Sequence, residues 1–474
     1  MIMNKNEYWH NKEVSDIDFG DKRLNKRITT LMNSFSDSPS ESIPKLSKGW
    51  KETIAAYRFF NNKNITADKI LSSHKKATLE RIKSEELVLI AQDTTEICFT
   101  GRKKIKGIGY LNSQTSHGFF FHPSIAMTAN KLCLGTIGFE SWTRENLGVR
   151  HERANKSVEE KESYNWLKGY EKVNEVAKEA PNTTVVNIMD RAGDIYEILE
   201  KVPSDENKAY WIVRSSRNRK IKSKDNKKMW EEVKSKKPIG TMKFELPSGS
   251  IYKRSILSER ALRKERIVSQ EIRVAQVCLA PPQRNKGKKL TPATINIIHC
   301  IETNPPSEED RIEWFLLTSI PVENYRIAFN VVKFYLCRWQ IEIFFKILKS
   351  GCTIEKLQFE SFQSIINCIA LYMIISWRIL YITNLSRVYP DIKCNIIFED
   401  NEWQSICTVA TKKPPPNEPP KLKEIVIWIA QLGGFLNRKS DNNPGVKTIW
   451  IGVQRMRDFA LLWETVNSEN YTCV

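Results

Sequence analysis

A chain of 474 residues, 27% charged and 41% hydrophobic, has enough apolar side chain for two to four packed domains. Its 74 Lys and Arg against 55 Asp and Glu leave a net charge of +19, which points to a polyanionic partner. Ten cysteines without a C-x-x-C pair and six isolated histidines exclude a zinc-ligand pattern, and no G-x-G-x-x-G, P-loop or G-x-S-x-G motif supports nucleotide or acyl-transfer chemistry.

Residues 1–70 read as helical. MIMNKNEYWHNKEV lacks the hydrophobic region of a signal peptide, so the chain is expected to stay where it is made. DFGDKRLNKRITTLMNSF predicts a helix entered near Asp18–Asp21, with Leu24, Ile28 and Leu31 on one face and Lys22, Arg23, Lys26 and Arg27 on the other. SIPKLSKGWKETIAAYRFFNN predicts a turn and a second helix. ELVLIAQDTTEICFT then reads as one continuous apolar strand with Asp93 near its middle. GFFFHPSIAMTANKLCLGTIGFESW predicts two strands joined by a turn at Asn130–Lys131. ESYNWLKGYEKVNEVAKEA follows as a helix.

TTVVNIMDRAGDIYEILEKV predicts strand, turn and helix, with Asp190 at the strand's end, and AYWIVRSS is a further strand. Between Arg214 and Lys237 the chain carries eleven Lys or Arg against three Asp or Glu, a solvated loop or a phosphate-contacting surface. Residues 215–310, with SIYKRSILS and SQEIRVAQVCLA among them, read as a strand-rich insertion rather than a continuation of the sheet. EWFLLTSIPV returns to a strand. From about 352 to 410 the chain is helical and apolar, yet no apolar run approaches a membrane span; the longest, INCIALYMIISW, is broken by Asn367. TKKPPPNEPPKLKE is a Pro-rich linker. KTIWIGVQRMRDFALLWETV ends the chain as an amphipathic helix, with Ile449, Val453, Met456, Phe459 and Leu462 either facing a partner or packed on the chain itself.

Strands followed by helices, with acidic residues at strand ends, indicate an α/β layer, and ligands gather at the carboxyl ends of such strands. Asp93, Asp190 and Glu342 are remote in sequence, and each sits where a carboxylate is costly without a partner. Together they suggest a shared site for Mg²⁺, with Mn²⁺ as a substitute, since these ions take oxygen ligands and leave positions for substrate phosphates. Two ions about 3.5–4 Å apart can stabilise both the attacking and the leaving oxygen of an in-line phosphoryl transfer.

KFYLCRWQIEIFFKILKSG (333–351) supplies the third carboxylate. On a helical wheel at about 100° per residue, Tyr335, Arg338, Glu342 and Lys349 fall within an arc of roughly 60°, with Lys346 and Trp339 beside it and apolar walls on both flanks. The plain reading is a small solvated face with an Arg–Glu pair. The chemical reading is a narrow lane for a nucleic-acid backbone: Arg338 clamps a phosphate by two parallel hydrogen bonds, Lys349 reaches one as a point charge, and Tyr335 donates its hydroxyl.

Tyr335-x₂-Arg338-x₃-Glu342-x₆-Lys349 resembles the Y-R-E-K signature of bacterial cut-and-paste insertion-sequence transposases of the DDE superfamily, Tn5-type. QDTT around Asp93 and IMDRAGDIYE around Asp190 are similar to the family's first and second acidic motifs, and GDKRLNKR, AAYRFFNN, EWFLLTSIPV and IAQLGGFLNRK extend the similarity from about residue 8 to 468. Relatives carry D-R-E-A-D at the second motif, where this chain has Asp190-Arg191-Ala192-Gly193-Asp194. That departure leaves Asp194 as a rival to Asp190, although the strand-end position favours Asp190.

The resemblance implies an RNase H-like catalytic core at 71–370, with the strand-rich insertion inside it, flanked by a helical DNA-binding domain at 1–70 and a helical dimerisation region at 371–474. It implies an Mg²⁺-dependent enzyme that nicks transposon ends, forms and reopens a hairpin, and joins the ends to target DNA within a homodimeric synaptic complex. Catalytic and metal-binding roles fall on Asp93, Asp190 and Glu342. DNA contacts fall on Tyr335, Arg338, Lys346 and Lys349, on Arg214 and Arg217 beside the active site, and on Lys22, Arg23, Arg27 and Arg58 at the transposon end. Trp314 matches a tryptophan that stacks on a flipped base, with Trp339 in reserve. The expected location is cytoplasmic, on the nucleoid, with double-stranded DNA as partner and no membrane. Two alternative readings are a domesticated DNA-binding protein that no longer cuts and a metal nuclease without strand transfer; the three carboxylates weigh against the first, and the long C-terminal region against the second.

Overall fold

Asp21 accepts the Arg23 N–H at 2.8 Å, which caps the first long helix where the sequence placed its start. The computed structural model describes residues 9–47, 49–101, 105–146, 159–204, 208–223, 225, 227–246, 249–251, 261–263, 265–282, 290–307 and 311–467. Most of SIYKRSILS lies outside these residues. The chain forms two compact units, one from residues 1–149, 179–183 and 339–474, the other from 150–178 and 184–338.

The first unit opens with helices α1 (Trp9–Val14), α2 (Lys22–Asp37), α3 (Ile43–Leu46), α4 (Trp50–Phe60) and α5 (Ala67–Lys83). Ile28, Leu31, Met32 and Phe35 form the buried stripe of α2, while Lys22, Arg23 and Lys26 stay exposed. Strands β1 (Leu87–Gln92), β2 (Thr95–Cys98), β3 (Gly109–Tyr110), β4 (His117–Thr128) and β5 (Cys133–Trp142) follow. The long β4 pairs antiparallel with each of the other four. The strand expected to run unbroken through Asp93 is therefore two strands. Asp93 and Thr94 interrupt it, and β1 and β2 pair with different stretches of β4, Ser124–Thr128 and Gly118–Phe121. The β4–β5 turn sits at Ala129–Leu132, with Lys131 in the left-handed region at φ 71°.

The second unit holds α6 (Tyr164–Glu179), β6 (Thr184–Met189), α7 (Tyr196–Leu199), β7 (Tyr210–Arg214), α8 (Met229–Lys234), β8 (Gly240–Leu246), β9 (Gly249–Ile251), β10 (Ala261–Arg263), β11 (Arg266–Leu279), β12 (Ala293–Glu302), β13 (Glu313–Thr318) and α9 (Tyr325–Cys337). Strands β6 and β7 are parallel. β13 pairs antiparallel with β7, β12 with β13, β11 with β12, and β8 with β11. Residues 215–310 are strand-rich as expected, but they are no separate body. Their alternating apolar residues, such as Ile295, Ile297 and Val277, are buried, and backbone pairing carries the sheet outward from β7. The order of elements, an antiparallel meander, then a helix and a parallel strand pair, is that of an RNase H-like core in a mixed α/β protein.

The chain returns to the first unit with α10 (Gln340–Lys346), a single π turn over Ile347–Gly351, then α11 (Phe362–Val388), α12 (Asp400–Thr411), α13 (Leu422–Leu432) and α14 (Val446–Asn467). The apolar run is longer than the sequence reading allowed. α11 has 27 residues and is long and apolar enough to span a membrane, but 94% of its most apolar window is buried inside the protein, so it is a core helix. Asn367 does not break it: its amide donates to the Phe60 and Ile65 carbonyls at 3.1 and 3.0 Å. On α14, Ile449 and Met456 are buried, so of the two alternatives packing on the chain itself holds for them. The exposed apolar residues are Leu461, Leu462 and Val466, at 67%, 59% and 58% exposure, in its last turns. The domain limits drawn at 70 and 370 both fall inside continuous helices, α5 and α11.

Candidate active site

Asp93 stands directly after β1 and is half-buried; its Oδ1 accepts the Thr94 N–H at 2.8 Å. The neighbours on both sides are anchored by one buried histidine. The Thr94 hydroxyl lies 2.8 Å from His122 Nδ1, and His122 Nε2 lies 3.0 Å from Gln92 Oε1. These two contacts tie His122 on β4 to both neighbours of Asp93 and hold the strand break in place. Sequence reading missed His122, because nothing local distinguishes it from another buried strand residue.

Glu342 is half-buried on α10, which packs against β1 in the same unit. The stretch carrying it is not one straight α-helix as expected. α9 stops at Cys337, Arg338 and Trp339 form a turn that keeps helical dihedrals, and beyond Lys346 the helix widens into the π turn, where the Cys352 N–H reaches the Ile347 carbonyl at 2.8 Å. Lys349 sits within that π turn. Its ammonium donates to the Glu96 carbonyl at 2.7 Å and lies 3.5 Å from Glu355. The same Glu355 oxygen accepts the Cys98 N–H at 2.9 Å. Lys349 is thus already engaged by protein, and Lys346 is the exposed cation of this segment.

The second unit carries Asp190 at the end of β6, half-buried, with Oδ1 accepting the Ala192 N–H at 2.7 Å. Close to it, α9 packs against β6 and β7 and brings Tyr335 into a cluster of arginines. Tyr335 is 7% exposed. Burial pushes its pKa up, against the opposing pull of the Arg338 and Arg214 guanidiniums, with the Asp190 charge adding to the rise. Burial in turn pulls the Arg214 pKa down, and the Arg191 and Arg338 charges press the same way while Tyr335 opposes them. Arg214 and Arg338 therefore flank one tyrosine beside one aspartate, with Arg191 acting on Arg214, a concentration of like charge suited to a phosphodiester backbone.

Trp314 on β13 is half-buried, stacked on Phe244 with centroids 5.6 Å apart and edge-on to Tyr335 at 6.1 Å. Trp339 is 59% exposed. Arg217 is exposed. Asp194 is buried and ion-paired to Arg219 at 2.9 Å, a setting unlike that of Asp190. Among the helices of residues 1–70, Arg58 and Lys22 are exposed, Arg23 pairs with its own cap Asp21 at 3.0 Å, and Arg27 is ion-paired to Glu52.

Among the described residues, no three His, Cys, Asp or Glu side chains come together as a metal cage. Carboxylate oxygens are the ligands that Mg²⁺ and Mn²⁺ take. Asp93, Asp190 and Glu342 offer carboxylate oxygen only, local amides orient the two aspartates, and Mg²⁺ is commonly held by one or two carboxylates together with water and substrate phosphate.

Three family models match the chain: transposase DNA-binding over residues 6–65, transposase DDE domain over 170–377, and transposase Tn5 dimerisation domain over 374–469. Among solved structures, a cryo-EM structure of the piggyBac transposase synaptic complex with hairpin DNA aligns over 98% of this chain and 79% of its own, at 8% identity and a TM-score of 0.34, a likeness too low to carry an argument.

Proposed function

Because the chain belongs to the Tn5-type transposases of the DDE superfamily, we propose that it binds transposon-end inverted repeats, cleaves them by divalent-metal-dependent phosphoryl transfer through a hairpin, and joins the 3′ ends to target DNA. The observation that carries this reading is Tyr335, buried beside Arg214 and Arg338, with the strand-end carboxylate of Asp190 acting on it and Arg191 acting on Arg214. Guanidiniums gathered at a strand-end carboxylate suit the binding of a DNA phosphate.

Asp93, Asp190 and Glu342 would hold the divalent ions, which supply activation of the attacking oxygen and neutralisation of charge on the leaving one. Arg338 and Arg214 grip the phosphates flanking the scissile bond, and Tyr335 keeps the two guanidiniums in register. Arg217 and Lys346 extend the contact along the backbone. Lys349 is released from Glu355 to meet a phosphate. Trp314 offers the ring face not covered by Phe244 to a flipped base, and Trp339 stands ready as a second stacking surface. Lys22, Arg23, Arg27 and Arg58 bind the transposon end. Residues 1–70, 71–370 and 371–474 serve as DNA-binding, catalytic and dimerisation regions, and the protein acts on the nucleoid as a homodimer.

The test is incubation of the full-length protein with DNA ends bearing its flanking inverted repeats, with Mg²⁺ or with chelator. Nicked and then hairpinned ends are expected with Mg²⁺ only. The Glu342→Ala variant is expected to bind ends and leave them uncut. Binding without cleavage by the unaltered protein would favour the domesticated DNA-binding reading, and cleavage without joining the nuclease reading.

A further inference from the structure

Two aspartates four residues apart follow β6, and the fold treats them differently. Asp190 is half-buried, whereas Asp194 is 2% exposed. The turn between them is pressed against the protein at Gly193, where an added Cβ would lie 2.8 Å from the Met189 Cβ and 3.1 Å from the Trp166 ring. A side chain there would push the turn off its support and move both carboxylates.

Asp194 is held by the segment that follows β7, through hydrogen bonds to one oxygen and an ion pair at the other. Its Oδ2 accepts the Ser216 N–H at 2.7 Å, the Ser216 hydroxyl at 3.1 Å and the Arg217 N–H at 3.1 Å. Its Oδ1 lies 2.9 Å from Arg219 Nη1, and its backbone carbonyl accepts from Arg219 Nη2 at 2.9 Å. Helix α8 holds the same segment from the other end: Trp230 Nε1 donates to the Ser215 hydroxyl at 3.1 Å, and the Trp230 N–H to Asn218 Oδ1 at 3.0 Å. Burial lowers the Arg219 pKa, and the neighbouring Asp194 opposes that fall. A buried ion pair contributes little net stability against its desolvation cost. What this one does is fix geometry. It pins the amide of Arg217, the exposed cation next along from Arg214 and hence from the Tyr335 cluster.

We propose that Asp194 is a positioning residue for DNA: it locks the Ser215–Arg219 segment so that Arg217 presents its guanidinium to the phosphate backbone beside Asp190, and it binds no metal itself. The assignment rests on the transposase reading for its substrate, and it separates the roles of the two aspartates. Asp190 faces the reacting phosphate. Asp194 acts through the backbone of Arg217.

The experiment compares full-length Asp194→Asn, Arg217→Ala, the double variant and Asp190→Asn. It reads end-binding affinity against salt, single-turnover cleavage with Mg²⁺, and thermal melting. Asp194→Asn is expected to slow cleavage about 10- to 100-fold, the usual range for loss of a supporting contact behind an active site. It should also lower the slope of log affinity against log salt by about one, as for one lost phosphate contact. The double variant should bind no more weakly than Arg217→Ala alone, because the two act on one contact. Asp190→Asn should abolish cleavage without reducing that slope. An unchanged salt slope in Asp194→Asn, or additive losses in the double variant, would overturn the proposal. If Asp194→Asn does not fold, Arg219→Lys keeps the charge but loses the forked contact; a reduced slope supports the proposal and a wild-type slope with wild-type cleavage refutes it. Failure of the unaltered protein to cut its ends with any divalent ion would instead sink the transposase reading, while the salt slopes would still report on Asp194 and Arg217.

Discussion

Arg338 and Tyr335 illustrate how little of a residue's role is local. The spacing Tyr335-x₂-Arg338-x₃-Glu342 was legible as a polar stripe and as a family signature, because helical periodicity places those positions together. That Tyr335 would be buried under Arg214 and Arg338 was not legible, because Arg214 lies more than a hundred residues away. Arg338→Ala is expected to slow strand transfer while leaving end recognition by the N-terminal helices in place; wild-type strand-transfer rates in a timed joining assay would remove Arg338 from the site. Histidines give a second test. Burial holds His10 down at about 3, helped by Arg457 and Arg378, and burial also lowers His299 against the pull of Glu313. His74 is lowered by burial too, and it accepts the Thr136 N–H at Nε2, which requires the neutral ring that donates to Glu13. Each would titrate near pH 6.5 in the unfolded chain, so below that pH the unfolded state binds protons that the folded state refuses. Their contribution is full above pH 6.5 and falls as pH drops, by at most about 1.4 kcal/mol per pH unit for each histidine. Glu399, raised to about 7 by burial and by Glu402, works oppositely, taking up a proton in the folded state first. Three histidines outweigh one glutamate, so Tm should fall between pH 7 and pH 5; a flat or rising Tm by calorimetry would contradict this.

At the level of elements, the C-terminal helices show packing that composition does not announce. A Cβ added to Gly452 on α14 would lie 1.8 Å from the Ile429 carbonyl oxygen on α13, and one on Gly433 would lie 1.8 Å from the Thr448 carbonyl oxygen. Replacing a helical glycine by alanine ordinarily stabilises a helix by up to about 1 kcal/mol. Here the methyl must push two helix backbones apart, so Gly452→Ala is expected to destabilise by about 1–3 kcal/mol. A rise in the chemical-denaturation midpoint would show that the helices separate freely. Most elements were legible. Helices α2 and α14 followed from a 3.6-residue apolar stripe, and β4 and β5 from two strand-like runs around a turn. The break at Asp93–Thr94 was not, since QDTT is as strand-like as its flanks and only pairing with two separate stretches of β4 divides it.

Across the whole molecule, the Y-R-E-K signature is contiguous in sequence but divided between two compact units, with Tyr335 and Arg338 in one and Glu342 and Lys349 in the other. The transposase Tn5 dimerisation match at 374–469 ends on the α14 turns that expose Leu461, Leu462 and Val466. On the expectation that a second copy of this chain covers that apolar surface, charge placed there should break the pairing. The double change Leu461→Glu and Leu462→Glu should leave the unfolding free energy within about 0.5 kcal/mol of the parent, as for exposed positions, while shifting the species on DNA from dimer to monomer in sedimentation. An unaltered dimer would place the contact elsewhere.

The sequence by itself determined the chemistry available to this protein: three spaced carboxylates, a cationic excess, a four-residue signature and the periodicities that make its helices and strands. These are short-range properties, set by residues a turn or a strand apart. The tertiary structure decided the rest. It buried Tyr335, engaged Lys349 with Glu355, joined the 215–310 strands to the sheet of β7, and sent Asp194 inward to Arg219 while leaving Asp190 half-exposed. The physical reason is that burial and ion pairing depend on which distant segments meet, and that information lies in packing rather than in any local pattern.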